Sequence, residues 1–257
     1  MDWSRVQPEV AGVTQVCSYD RAGMGWSDAG PRPRTGSRIA SELRALLRGA
    51  HVPGPYVLVG HSSGGLHVRL FASSHPDDVA GIVLVDAAHE DASRRMPPQG
   101  GGQGDSRFTL YLHAFLTVVG YARLDGIWFA RAGEFSPEAR RLANGIKQRT
   151  EWPFAYASES LASEGTAAEV RRTRHVLDVP LMVVTRGRYA GIRRLPADTQ
   201  ERIKQTWQQL QSDLVSLSPR GAQVVASDAD HYIQFDQPDI VIEAIETVVT
   251  AARRDAR

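Results

Sequence analysis

Cysteine is nearly absent from this chain of 257 residues: Cys17 stands alone, which excludes an internal disulfide and a thiolate-held metal cluster. Neither sign of charge is in excess, with 30 Lys and Arg against 29 Asp and Glu and a net charge of +1. Acids and bases are interspersed, so no basic face for nucleic acid stands out, and Arg253, Arg254 and Arg257 read as a solvated helix end. No apolar run approaches the roughly 20 residues that a membrane-spanning helix needs, and there is neither a signal-like opening nor an internal repeat. The length suits one large α/β domain, or a core carrying an inserted lobe.

What is present is organised around Tyr56-Val57-Leu58-Val59-Gly60-His61-Ser62-Ser63-Gly64-Gly65-Leu66. Tyr56 to Val59 is apolar without alternation, as a parallel strand covered on both faces requires. Leu66, Val68, Leu70 and Phe71 then suit a mostly buried helix that ends near His75-Pro76. Between them Gly60, Ser62 and Gly64 form G-x-S-x-G, whose glycines allow a reversal tight enough to hold a serine at the apex. A serine hydroxyl attacks only when a base removes its proton and nearby donors hold the oxyanion that forms. At a helix start, the Ser63 amide is an unpaired N–H suited to that second task.

Along the chain, Trp3, Val6, Val10 and Val13 predict a short amphipathic helix, and Gln15 to Asp20 predicts a strand. A helix from about Ser37 to Arg48 follows, with Ile39, Leu43, Leu46 and Leu47 on its apolar face. Ile82-Val83-Leu84-Val85-Asp86 reads as a second buried strand ending in a carboxylate. After a change of character, strand patterns return at Leu181 to Thr185 and Gln223 to Ser227, with helices over about Ala197–Leu217 and Pro238–Arg253. Strands alternating with helices imply a parallel sheet covered on both faces.

The change of character spans residues 88–178. It opens with the glycine-rich link Gln99 to Gly104 and carries Leu110, Leu112, Phe115, Leu116, Trp128, Phe129, Leu142, Trp152, Phe154 and Tyr156. A structureless loop of that length inside a compact domain is improbable. The expected division is therefore a core of residues 1–87 and 179–257 with an inserted, mainly helical lobe at 88–178.

Four marks together resemble the α/β-hydrolase superfamily, in its lid-bearing, esterase-like branch. They are Asp20-Arg21-x-Gly23-x-Gly25-x-Ser27 after the first strand, Gly60-His61-Ser62-Ser63-Gly64-Gly65, Val85-Asp86, and His231 after the last strand. The resemblance covers nearly the whole chain and implies a fold of eight strands, of which five are visible. The first three are missing, so the resemblance implies an α/β core truncated at its N-terminal side, without the His-Gly loop that supplies a second oxyanion donor. The strand Gln15–Asp20 is then expected either to leave unpaired edges, at roughly 1–3 kcal/mol for each dry group, or to shift and pair directly with the Tyr56 strand. Any targeting segment would have been lost with that part, so location is not legible.

The resemblance places the base at His231, in a loop at the C-terminal edge of the sheet where such loops gather. His51, His61, His67, His75, His89, His113 and His175 have plainer readings in turns, helix faces and loops. The commonest family position for the acid follows Leu181–Thr185, but Arg186-Gly187-Arg188 stands there with no carboxylate. Asp86 occupies the alternative family position, and the order Ser62, Asp86, His231 fits the motif; Asp228, Asp230, Glu90, Asp91 and Asp198 are its rivals. The resemblance thus implies a serine hydrolase of small or medium lipophilic carboxylic esters, acting without metal or organic cofactor. Other chemistry of the same triad (a lyase, a C–C hydrolase, a haloperoxidase) and a non-catalytic binding protein are the alternatives. Epoxide and haloalkane chemistry is disfavoured because serine stands where those use aspartate.

Overall fold

In the computed structural model, residues 2–97, 107–119, 141, 145–146, 149–173 and 177–255 are described. The aliphatic runs form β1 (Tyr56–His61), β2 (Val79–Val85), β3 (Leu181–Arg186) and β4 (Gly221–Ala226). They pair in parallel in the order β1-β2-β3-β4. Parallel neighbours need crossovers, supplied by α3 (Gly64–Ser74) between β1 and β2 and by α7 (Ala197–Val215) between β3 and β4.

Side chains alternate across the sheet with a period of two, which divides the interior into two layers. Leu58, Ile82, Leu84, Leu181 and Val183 pack with Leu66, Leu70 and Phe71 of α3, Ala40 and Leu47 of α2 (Gly36–Gly49), and Leu214 of α7. Val83, Val85 and Val184 face the other way, onto Val6 and Val10 and onto Val241, Ala244, Ile245 and Val248 of α8 (Pro238–Asp255). Ile82, Val83, Leu84 and Val85 are 0% exposed, so β2 is the buried spine of the sheet. Each such side chain contributes about 1.5–3 kcal/mol relative to exposure.

The expected strand at Gln15–Asp20 is not formed. A parallel strand exists through its ladder, and among the described residues β1 is the edge of the sheet with no strand on its outer side. Residues 15–20 neither pair there nor bury themselves: Gln15, Cys17, Ser18 and Tyr19 are exposed. The described sheet therefore has four strands where five were expected. The first helix is also shorter than its pattern suggested, with α1 spanning only Gln7–Val10.

Between β2 and β3 lie α4 (Ala92–Arg95), α5 (Arg107–Val118) and α6 (Glu151–Thr173). The link Gln99–Gly104 and Trp128, Phe129, Leu142 and His175 lie outside the described residues. Helix α6 packs against α2, α3 and α5 and is tied down by polar contacts. The Ser158 hydroxyl accepts the Arg34 amide at 3.1 Å, and Thr166 Oγ1 accepts the Gly36 amide at 2.9 Å. Arg21 grips Glu159 in a two-point ion pair at 3.1 and 2.7 Å. The Asp20–Ser27 loop lies against this helix so closely that a Cβ at Gly23, where φ is +79°, would sit 2.6 Å from the Ala155 Cβ. Among the described residues no helix is long and apolar enough to cross a membrane.

Candidate active site

Where β1 turns into α3, Ser62 takes a left-handed backbone with φ of 53°, a conformation that costs an L-residue roughly 1–2 kcal/mol. Three hydrogen bonds hold it: Ser62 N–H to Val85 O at 3.2 Å, Gly65 N–H to Ser62 O at 3.0 Å and Ala88 N–H to Ser62 O at 2.8 Å. The turn closes because Gly60 has no side chain: a Cβ there would lie 2.6 Å from the Gly64 carbonyl oxygen. Gly64 itself is less constrained than the motif suggested, since a Cβ there would meet nothing within 4 Å. The second glycine the packing demands is Gly65, where a Cβ would come 2.5 Å from that of Ala87. Ser63, at the N-cap of α3, is exposed, and among the described residues its amide has no acceptor.

Asp86 follows β2 in the same manner, with φ of 39° and its N–H donating to Val184 O at 2.7 Å. Its carboxylate is 0% exposed, and burial of an ionised group requires partners for both oxygens. His231 Nδ1 lies 2.6 Å from Oδ2. The Trp207 indole N–H donates to Oδ1 at 2.8 Å, and the Arg186 amide approaches the same oxygen at 3.4 Å.

His231 stands in the loop after β4, which is fixed by backbone and carboxylate contacts. Arg188 N–H donates to Ala229 O at 2.8 Å, while Asp230 accepts the amides of His231 and Ala190, each at 2.8 Å. The His231 carbonyl is 2.9 Å from His61 Nε2. A carbonyl can only accept, so His61 donates from Nε2. Burial, and then the proximity of His231, push the His61 pKa down to about 4, so its ring is neutral. On the other side His231 Nε2 lies 3.1 Å from Ser62 Oγ. With Nδ1–H directed at the Asp86 carboxylate, the Nε2 lone pair faces the serine hydroxyl. That geometry lets a proton pass from Ser62 to the imidazole while Asp86 stabilises the cation formed.

The other carboxylates considered from sequence are engaged elsewhere. Asp228 pairs with Arg188 at 2.6 Å, Glu90 with Arg69 at 2.7 and 2.9 Å, Asp91 with Arg171 at 2.8 Å, and Asp198 lies 3.9 Å from Arg202. Asp230 braces backbone amides. Of the remaining histidines, His67 is held neutral by burial and then by the charges of Arg21 and Arg34, with its pKa lowered to about 3. His75 meets Phe71 edge-on, and His89 sits beside Glu90. Among the described residues no three His, Cys, Asp or Glu side chains are grouped to hold a metal ion.

Three residues at this site were not singled out from the sequence: His61, Arg186 and Trp207. Trp207 carries a faint signal, since it stands four residues from Ile203 and three from Leu210 on the buried stripe of an otherwise polar helix. Arg186 is marked only by the carboxylate it displaces.

Residues 1–244 match the model of the alpha/beta hydrolase family. An uncharacterized protein of Schizosaccharomyces pombe is 29% identical over 251 residues, covering 95% of this chain. The chain spans only 43% of that relative's length. Among solved structures, a thermophilic esterase from Thermogutta terrifontis superposes with a TM-score of 0.65 at 21% identity, covering 98% of this chain and 85% of the other. A Pseudomonas aeruginosa protein provisionally named an epoxide hydrolase gives 0.63 at 19% identity, covering 100% and 86%. At these identities the structural matches speak for the fold.

Proposed function

The chain belongs to the alpha/beta hydrolase family, and from that premise we propose that it is a serine hydrolase that cleaves carboxylic esters through Ser62, His231 and Asp86. The observation that carries the reading is His231, bridging Ser62 Oγ at 3.1 Å and the buried Asp86 carboxylate at 2.6 Å. In the first half-reaction His231 Nε2 takes the Ser62 proton as Oγ attacks the ester carbonyl. The Ser63 amide donates to the resulting oxyanion. Collapse breaks the bond to the leaving alkoxide, which takes the proton from His231 and departs as the alcohol. In the second, His231 deprotonates a water that attacks the acyl-enzyme, then returns that proton to Ser62 Oγ as the acid leaves.

The substrates of this reading are small or medium lipophilic esters, with residues 88–178 forming a cap over the site. In support, α6 is bound to the Arg21 loop and packs on α3, the helix that follows Ser62. Apolar rings along it, such as Trp152 stacked on Tyr156 at 5.6 Å, belong to the same segment. The test is hydrolysis of p-nitrophenyl esters of increasing acyl length by the wild type and Ser62→Ala. Turnover by the wild type and its loss in the variant are expected; equal turnover by both removes the nucleophile assignment.

A further inference from the structure

The Asp86 carboxylate has a second cationic neighbour besides the imidazole. Arg186 Nη1 lies 3.5 Å from Oδ2, the oxygen that His231 also uses, and 3.9 Å from Asp230 Oδ1. Its guanidinium is held between two rings, 4.6 Å from the Tyr189 centroid and 4.8 Å from that of Trp207. Only 17% of the side chain is exposed. The same Trp207 gives its N–H to Asp86 Oδ1. One tryptophan therefore fixes both the anion and the cation beside it.

We infer that Arg186 and Trp207 are positioning residues for the acid, with Trp207 fixing the orientation of the carboxylate and Arg186 moderating the charge that Asp86 presents to His231. This rests on the triad reading above. Asp86 is fully buried, in a setting where unit charges a few ångströms apart interact far more strongly than in water. An isolated carboxylate there would bind imidazolium tightly and keep His231 protonated when it is needed as a free base. A guanidinium 3.5 Å from the same oxygen offsets part of that attraction. Arginine suits the task better than lysine because its flat, weakly hydrated cation stacks between rings while remaining charged.

Among the described residues, the charged and titratable groups facing the pair are few. From β1 and its turn come His61, which is uncharged, and Ser62. From the end of β3 and the following loop come Arg186 and Tyr189, whose hydroxyl burial holds in the neutral form. From the His231 loop and the turn after it come Asp230, Tyr232 and Asp236, whose Oδ2 accepts the Asp230 amide, and Asp2 acts on His61 from the start of the chain. Arg186 is the cation among them, so removing it has a defined sign. The imidazolium is then stabilised by an unmoderated carboxylate, and the acid limb of the base's titration moves to higher pH.

The experiment follows the second-order rate of Ser62 labelling by a fluorophosphonate probe against pH, which reads the availability of the base without needing the natural substrate. Arg186→Met is expected to move the acid-side midpoint up by about one pH unit, and Arg186→Lys to keep the midpoint close to that of the wild type. Trp207→Phe keeps a ring against Arg186 and loses the N–H, so it is expected to slow labelling about tenfold with the midpoint little moved. Should Arg186→Met fail to fold, Arg186→Gln carries the same expectation. An unchanged midpoint in the folded, charge-free variant overturns the role of Arg186, and an unchanged rate in Trp207→Phe overturns that of Trp207. A wild type that is not labelled at any pH overturns the triad reading itself, which separates the two failures.

Discussion

Ser62 and Asp86 each directly follow one of two neighbouring parallel strands and share a left-handed backbone, with φ of 53° and 39°, and the Ser62 amide donates to the carbonyl of Val85, the residue just before Asp86. Two strained turns are thus tied together at the C-terminal edge of β1 and β2. Strain of this kind persists only where the surrounding structure over-determines it. Here the supports are the strand ladder, the Ala88 amide on Ser62 O and the closeness of Gly65 to Ala87. Ser62 and Asp86 are consequently positioned by one piece of sheet, and His231 is carried to them from β4.

Substitution at the elbow glycines should separate contact from motif. Gly60→Ala drives a methyl into the Gly64 carbonyl at 2.6 Å, and a backbone obstacle cannot rotate away; a loss of about 2 kcal/mol or more is expected. Gly64→Ala meets open space inside the first turn of α3 and should gain about 0.5–1 kcal/mol from the lower entropy of alanine. Thermal melts of the two variants check this. A Gly64→Ala protein as unstable as Gly60→Ala would contradict it.

Asp86→Asn should leave the fold near wild type while lowering kcat about 10³–10⁴-fold. The amide can still accept from Trp207, but it no longer stabilises an imidazolium and can present the wrong partner to Nδ1. Ester hydrolysis measured at saturating substrate, beside a melting curve, distinguishes this from simple unfolding.

Stability should fall with pH in a stated window. His61 and His67 have folded pKa values lowered from 6.5 to about 4 and about 3, chiefly by burial. The unfolded chain therefore takes up protons first, and their contribution is complete above pH 6.5 and lost as pH drops through those values. For Glu90, burial alone would raise the pKa, but the hydrogen bonds and charge of Arg69 outweigh it and hold it at about 2, below 4.5. Its contribution is present above pH 4.5 and lost toward 2. The melting temperature should decline from pH 7 to pH 3, less steeply in His67→Gln; a flat profile contradicts the assignment.

At pH 7 the Arg69–Glu90 pair should be costly to break from one side. Both side chains are buried, at 6% and 1% exposure. Glu90→Gln leaves a buried guanidinium without its counter-charge, at an expected loss on the order of 3 kcal/mol in urea unfolding. Replacing both by methionine should recover part of that loss; a double variant no better than the single one argues against the ion pair as the cause.

The grouping of three side chains was legible because each is marked by its place in the strand pattern. A glycine-flanked serine between an apolar strand and a helix, a carboxylate after the next strand and a histidine after the last one pointed to Ser62, Asp86 and His231, and the structure brings these three within hydrogen-bonding distance in a row. The strand positions were legible for a similar reason, since Ile82 to Val85 is too apolar to lie anywhere but inside. Gln15–Asp20 was misread because β-propensity reports a residue's fitness for a sheet and not the presence of a neighbour. Gly64 was overvalued because a pattern cannot show which glycine another atom actually approaches. Arg186 and Trp207 were out of reach because their importance lies in a contact with Asp86 across 100 and 121 positions of chain.

The most direct test of the whole account is mass-spectrometric mapping of the adduct formed with a fluorophosphonate probe. The expected result is a single modified residue, Ser62, with labelling lost in His231→Ala while that variant keeps its melting temperature. Modification at another residue, or labelling of Ser62 that proceeds equally well without His231, would contradict the proposed chemistry.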